Sequence, residues 1–214
     1  MPAIHLIHWG PPGESKELQD ILDWWKTNNR NISNKTHYIP NANLVLLRDE
    51  FTKAAEDIDS QVIYFTCHGN TEGFAFSDRT LLTYSVFASW LSGMKPPGST
   101  PIKEIIFGSC ESMSPVVRIE QYMPEWVWEL AGFKGRPFAN DVADLAAGSI
   151  ENLQSWGSAI GTALSQTTED NFQRAFEEAD KAFTYNPKKY VATDKANDVL
   201  ILRRNPATSR WDSR

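Results

Sequence analysis

VIYFTCHG, residues Val62–Gly69, is an apolar run that ends in a cysteine, a histidine and a glycine. A second run of this kind, IIFGSC, covers Ile105–Cys110. Short apolar runs rich in β-branched and aromatic residues are typical of buried strands. In an open α/β sheet, ligands bind beyond the carboxyl ends of the strands. We therefore expect the imidazole of His68 and the thiol of Cys110 to lie at the same rim of one sheet.

Cys67 is a second thiol beside His68. Adjacent residues of a strand point to opposite faces, so we expect Cys67 to face the core and Cys110 to be the reactive cysteine. A disulfide between Cys67 and Cys110 stays open as an alternative, and it would inactivate a thiol nucleophile.

The rest of the chain alternates between strand and helix patterns. Strands are predicted at residues 3–8, 44–47, 62–66, 105–107 and 199–202, with a small hairpin or extended arm at 70–78. Helices are predicted after Ser15, at 51–58, after Thr83, from Pro115, from Pro124 to Gly132, and around 153–164 and 170–183. Loops are predicted at 28–43 and 95–101, and 136–145 is ambiguous. This alternation predicts an α/β fold with a mostly parallel sheet covered on both faces.

Length, charge and composition narrow the class of protein. The 214 residues suit a single α/β domain, residues 1–204, followed by a flexible polar tail at 205–214. A net charge of -6 argues against a nucleic-acid partner, which would require a basic face. No stretch reaches the roughly 18 apolar residues of a membrane span, and the N-terminus lacks the features of a signal peptide. With two cysteines in all, we expect a cytoplasmic protein with reduced thiols.

The sequence indicates neither a metal site nor a phosphate loop. His5, His8 and His37 share no metal-ligand spacing with the cysteines. The segment GPPGESK, Gly10–Lys16, lacks the Gly-x-x-x-x-Gly-Lys-Ser/Thr spacing, and its two prolines remove backbone donors. We therefore predict a protein without a cofactor.

A buried strand that ends in His-Gly, and a later strand that ends in a small residue and Cys, form a paired signature. This signature resembles the caspase-like (clan CD) cysteine peptidases, which include caspases, metacaspases, clostripain, gingipains, separase and CHAT domains. His68 and Cys110 lie 42 positions apart, and the caspase pair is roughly 50 apart. The motif GSCES, Gly108–Ser112, is closest in style to CHAT-domain proteases, and the Gln-Ala-Cys-Arg-Gly signature of caspases is absent. In element order the resemblance covers Ile4–Phe183, and it implies a caspase-like three-layer sandwich.

The resemblance also implies roles for three residues. Cys110 is the expected nucleophile and His68 the general base or ion-pair partner, because a free thiol is only a few per cent thiolate at neutral pH. The backbone N–H groups of Gly69 and Cys110 are expected to form the oxyanion hole. The family usually works with a Cys-His dyad, so no third catalytic residue is predicted. The chain is therefore interpreted as a thiol protease, a hydrolase that cleaves protein or peptide substrates.

Substrate contacts are expected on the long segment Met113–Leu145, because functional loops cluster at this rim. Gly108, two positions before the Cys, has no side chain to hold an acidic P1 residue, the residue on the N-terminal side of the cleaved bond. A basic or small P1 residue is predicted instead, with Asp141 and Asp144 as substrate-binding carboxylates. The alternative is that both aspartates are solvated loop residues.

Two other classes of function stay open. A lone His after a strand is often structural, and a lone buried Cys is often a small hydrophobe. The chain could then be a catalytically degenerate caspase-like module that serves as a protein-interaction adaptor. The third class is a thiol hydrolase that acts on a non-peptide ester or amide. An active peptidase is expected to be controlled by a regulatory protein partner, a ligand or processing, and bacterial defence is a context suggested by analogy with CHAT relatives.

Overall fold

The computed structural model describes residues 3–12, 16–27, 33–76, 80–97, 103–137, 145, 198–205 and 208–213. The strands within them are β1 (Ala3–Trp9), β2 (Ser33–Ile39), β3 (Ser60–Asn70), β4 (Gly73–Phe76), β5 (Thr80–Thr83), β6 (Lys103–Phe107), β7 (Val127–Phe133), β8 (Val199–Arg204) and β9 (Trp211–Ser213). The helices are α1 (Lys16–Thr27), α2 (Leu44–Glu56) and α3 (Tyr84–Gly93), and a 3₁₀ helix covers Ile119–Tyr122. The late helices predicted between 153 and 183 lie outside the described residues.

The strands build one mixed, mostly parallel sheet. Its main path has the order β2-β1-β3-β6-β7-β8-β9. The first five of these strands run parallel, and β8 and β9 are each antiparallel to the strand before them. β4 and β5 form an antiparallel hairpin that extends from the end of β3. The predicted α/β class with a mostly parallel central sheet is confirmed.

Buried side chains cover both faces of the sheet. On one face, the rings of Phe51 in α2 and Phe87 in α3 lie 4.9 and 6.0 Å from the ring of Phe65 in β3, measured between centroids. On the other face, Leu6 and Tyr64 pair across β1 and β3 and are fully buried. Burial on both sides is compatible with a three-layer sandwich.

The region from 33 to 56 differs from its prediction in two places. Leu44–Glu56 is one helix, α2, instead of a strand followed by a short helix. Oδ1 of Asn43 accepts hydrogen bonds at 3.0 Å from the N–H groups of Val45 and Leu46, so a side-chain cap starts the helix within the apolar run. Residues 33–39, predicted as loop, form the edge strand β2, whose mostly exposed side chains hide the strand pattern.

Residues 127–133 form the strand β7, and the prediction of a helix from Pro124 to Gly132 is wrong. β7 is buried along almost its whole length, and a fully buried strand cannot be told from a buried helix by periodicity. A Cβ on Gly132 would stand 2.7 Å from Cγ of Met113, so this glycine makes room for the chain that follows β6. The helix predicted from Pro115 is also wrong, since turns lead there into the 3₁₀ helix.

The last two strands follow residue 198. β8 covers the predicted strand at 199–202 and extends to Arg204. Residues 211–213, which the sequence assigns to a flexible tail, pair with β8 as the edge strand β9. The guanidinium carbon of Arg204 lies 4.7 Å from the ring centroid of Trp211. This cation–π contact joins the two strands, and local sequence gives no sign of it.

Candidate active site

The end of β3 extends past the neighbouring strand β6 and carries the candidate residues. Pairing with β6 ends at Phe65, opposite Phe107. Beyond this point His68–Asn70 pair with β4 of the hairpin. This overhang of β3 lies at the carboxyl-end rim of the parallel strands, where the sequence predicts the site.

The two side chains before Gly69 point to different sides of β3. Cys67 packs against the apolar core, and its Sγ lies 3.3 Å from Oγ of Ser109. His68 is exposed and lines a cleft. Strand alternation therefore turns Cys67 inward, as expected, and neither Cys67 nor Cys110 forms a disulfide.

Cys110 lies in a tight turn that is tied to both neighbouring strands. Gly108 donates its N–H to the carbonyl of Phe65 at 2.8 Å. Met113 donates its N–H to the carbonyl of Phe133 at 3.0 Å. The thiol is therefore carried by a short segment whose ends are hydrogen-bonded to β3 and β7.

Gly69 and the turn around Cys110 are in direct backbone contact. A Cβ on Gly69 would stand 2.7 Å from the carbonyl oxygen of Cys110 and 2.9 Å from Cβ of Ser109. It would lie 3.5 Å from the backbone nitrogen of Cys110. Since a Cβ does not approach other atoms within 3.0 Å, glycine fits here without displacing the turn and a larger residue does not. The backbones of residues 69 and 110 therefore lie close together at the rim of the sheet.

Glu111, directly after Cys110, has a left-handed backbone with a φ of 58°. A non-glycine residue in this region costs about 1–3 kcal/mol, and such residues cluster at functional sites. The N–H of Glu111 donates to the carbonyl of Gly135 at 2.8 Å. Its carboxylate lies 3.7 Å from Nε of the exposed Arg136. These contacts hold the sharp reversal of the chain that follows the thiol.

A cleft of about 610 Å³ opens between the β4–β5 hairpin and the turn around Cys110. Residues from both walls line it: His68, Gly69, Asn70, Glu72, Ala75, Thr80, Leu81, Cys110, Glu111 and Arg136. The volume is typical of a ligand-binding cleft. The structure therefore brings the imidazole, the glycine and the thiol to one cavity.

Several residues of this cleft were not predicted from the sequence. Asn70 and Glu72 lie in the hairpin or arm predicted at 70–78, which was given no role in the site, and Thr80 and Leu81 follow that segment. The turn signal at Asn70 is the local feature that could have drawn attention to them. Arg136 opens a segment that the sequence leaves ambiguous.

Three further predictions concern the substrate-binding aspartates, a metal site and a membrane span. Asp141 and Asp144 lie outside the described residues. Within the part of the chain that the structure describes, no group of three or more His, Cys, Asp or Glu side chains is placed to hold a metal ion. None of the described helices combines the length and the apolar character that a membrane crossing requires.

Comparison of the sequence with protein-family models and with curated proteins finds no match. The resemblance to caspase-like peptidases therefore stays a prediction from the two strand-end motifs.

Proposed function

We propose that this chain is a caspase-like cysteine endopeptidase in which Cys110 and His68 form the catalytic dyad. The observation that carries the proposal is the backbone contact between Gly69 and the turn around Cys110, beside an open cleft at the rim of a mostly parallel sheet. A structural histidine and a buried cysteine would need neither the shared cleft nor the glycine contact.

Acylation begins with the thiol. His68 takes the proton of Cys110, and the thiolate attacks the carbonyl carbon of the scissile peptide bond. The oxyanion that forms accepts hydrogen bonds from the N–H groups of Gly69 and Cys110, and each such donor lowers the barrier by about 3–4 kcal/mol. The imidazolium of His68 then protonates the leaving amine. The C–N bond breaks, and a thioester to Cys110 remains.

Water completes the cycle. The neutral His68 removes a proton from water while the water oxygen attacks the thioester carbonyl. When the second tetrahedral intermediate collapses, the C–S bond breaks, the carboxylic acid product leaves and its proton passes to solvent. The proton on His68 returns to the thiolate of Cys110, so both residues regain their starting protonation states.

The proposed substrate is a protein or an extended peptide with a basic or small P1 residue. Glu72 and Glu111 are among the residues that line the cleft, and Asp141 and Asp144 follow in the sequence. A carboxylate that is partly removed from water pairs well with a guanidinium group. The proposed enzyme acts in the cytoplasm, and its activity is controlled by a regulatory protein partner, a ligand or processing.

Cleavage of a peptide library by the wild-type protein, Cys110→Ala and His68→Ala tests this function. Each substitution should abolish cleavage and leave the circular dichroism spectrum unchanged, because the two side chains act as one unit. Labelling by an acyloxymethyl-ketone probe should likewise require both residues. Near-normal turnover in either variant would exclude the dyad.

The remaining outcomes separate the other classes. A folded wild-type protein that shows neither site-selective labelling nor turnover under any activation condition would favour the adaptor. Turnover of esters or non-peptide amides without peptide cleavage would favour a different thiol hydrolase.

A further inference from the structure

The overhang of β3 is held by a side chain from α3. Tyr84, the first residue of α3, donates its hydroxyl proton to the backbone carbonyl of Asn70 at 2.8 Å. Asn70 directly follows Gly69 and is the last residue of β3. The tyrosine ring is buried, with 6% of its surface exposed, and it packs edge-on against Phe74 at a centroid distance of 5.0 Å. The donor is therefore fixed by the core and not by the cleft.

The side chain of Asn70 secures the same point of the chain from the other direction. Its Oδ1 accepts the N–H groups of Glu72 at 2.8 Å and Gly73 at 3.2 Å. These bonds close the turn into β4, whose residues pair with His68 and Gly69. The carbonyl held by Tyr84 and the turn held by Oδ1 together set the backbone of the overhang, where pairing with β6 has already ended.

We propose that Tyr84 is a positioning residue for the reaction of the dyad. Its hydroxyl fixes the carbonyl of Asn70, and this contact orients the preceding residues His68 and Gly69 toward Cys110. Tyr84 is not among the residues that line the cleft, so it acts on the site through the backbone. The inference rests on the proposed peptidase function.

The chemistry of the hydroxyl suits a permanent donor. Burial raises the pKa of Tyr84 well above its usual value, and the nearby acidic groups of Cys67, Glu111 and Cys110 raise it further. The hydroxyl therefore keeps its proton at every pH at which a cysteine peptidase works.

Tyr84→Phe tests the role, with Tyr122→Phe as the matched control. The first substitution removes the hydroxyl and keeps the buried ring, while Tyr122 is 52% exposed and lies in the 3₁₀ helix. The turnover number is measured per titratable Cys110 thiol, together with KM for a cleaved peptide. We expect kcat to fall about three- to tenfold, the range for loss of one hydrogen bond, with KM within about twofold of wild type. The control should match wild type in both.

A purely structural role gives a different result. It would lower the melting temperature or the fraction of titratable thiol and leave kcat per thiol unchanged, which would overturn the inference. Amide hydrogen exchange over residues 68–73 provides a readout that needs no substrate, and exchange there should be faster in Tyr84→Phe than in Tyr122→Phe. If the wild type is active and amide exchange over residues 68–73 is unchanged in Tyr84→Phe, the positioning role is refuted and the peptidase function is not. If the wild-type protein shows no turnover that depends on Cys110, the proposed peptidase function is refuted. The positioning role of Tyr84 is then refuted as well.

Discussion

Gly69 lies against Cys110 so closely that a Cβ on the glycine would stand 2.7 Å from the carbonyl oxygen of Cys110. The two residues belong to different strand ends, β3 and β6, and are far apart in the sequence. The lack of a side chain at residue 69 lets the backbone after His68 reach the backbone that carries the thiol. Together with the hydrogen bond from Gly108 to Phe65, this contact joins the two motifs into one site.

Gly69→Ala should therefore reduce cleavage by about 100-fold or more, because a displacement of about 1 Å in a catalytic group can cost that much. The added Cβ must push the turn around Cys110 away from β3. Gly93→Ala is the matched control, since a Cβ there meets nothing within 4 Å, and its activity should be unchanged. Peptide cleavage per titratable thiol is the measurement, and a normal rate in Gly69→Ala would show that activity does not depend on this contact.

Cys67→Ser should keep most of the activity. Sγ of Cys67 faces Oγ of Ser109 at 3.3 Å on the core side, and a serine hydroxyl can keep this hydrogen bond. The cleavage rate and the labelling of Cys110 by the probe should both stay within about threefold of wild type, because the substitution leaves the rim intact. A folded but inactive Cys67→Ser would show that the nucleophile or the register of β3 has been misassigned.

Peptides that differ only at P1 should be cleaved fastest with Arg or Lys, or with a small residue, and slowly with Asp. The measurement is kcat/KM for Arg, Lys, Ala, Leu and Asp at P1, repeated on Asp141→Ala and Asp144→Ala. If either carboxylate pairs with the substrate, its loss should reduce the preference for Arg over Ala by about tenfold, as for one charge-assisted hydrogen bond. The same measurement on Glu72→Ala tests whether Glu72, which lines the cleft, contributes to the preference for Arg over Ala.

Two results of the P1 measurement would contradict this prediction in whole or in part. A preference for Asp at P1 would refute the prediction outright. A preference for Arg that survives in both aspartate variants would exclude Asp141 and Asp144 as its source.

A buried histidine near the amino end of β1 predicts how stability depends on pH. His5 is 2% exposed, and its Nε2 lies 2.8 Å from Oδ2 of Asp57. Its Nδ1 lies 2.9 Å from Nε2 of His37. Burial lowers the pKa of His5, and the hydrogen bond from Nε2 to Asp57 offsets this effect only in part. The folded protein therefore favours the neutral imidazole.

The sign of the effect follows from the lowered pKa. As the pH falls below the unfolded value of about 6.5, the unfolded chain binds a proton before folded His5 does. The contribution of His5 to the free energy of unfolding is therefore complete above about pH 6.5. It is lost as the pH falls through the lower pKa of the folded state. The melting temperature of wild type should fall between pH 7 and pH 5.

His5→Gln removes this contribution. The variant should melt lower than wild type at pH 7, and its melting temperature should fall less steeply toward pH 5. Lys26→Gln, an exposed substitution on α1, should reproduce the wild-type profile. Equal slopes for wild type and His5→Gln would contradict the predicted linkage.

The sequence was sufficient where a local pattern reflects burial. The apolar runs of β3 and β6 identify two buried strands, and the polar residues at their ends identify His68 and Cys110. The sequence was insufficient where the burial of a strand leaves no recognisable apolar pattern in its residues. β2 is an exposed edge strand without apolar alternation, and β7 is buried along almost its whole length, so that its periodicity disappears.

The amino-acid sequence by itself determined the α/β class, the strands β1, β3, β6 and β8, and the two candidate catalytic side chains. Only the tertiary structure decided that Gly69 touches the turn around Cys110, that Tyr84 reaches the carbonyl of Asn70, and that Arg204 covers Trp211. Each of these contacts depends on how far one element extends past another and on the register between them. Those quantities are set by packing between segments that are distant in the chain, and a local pattern does not encode them.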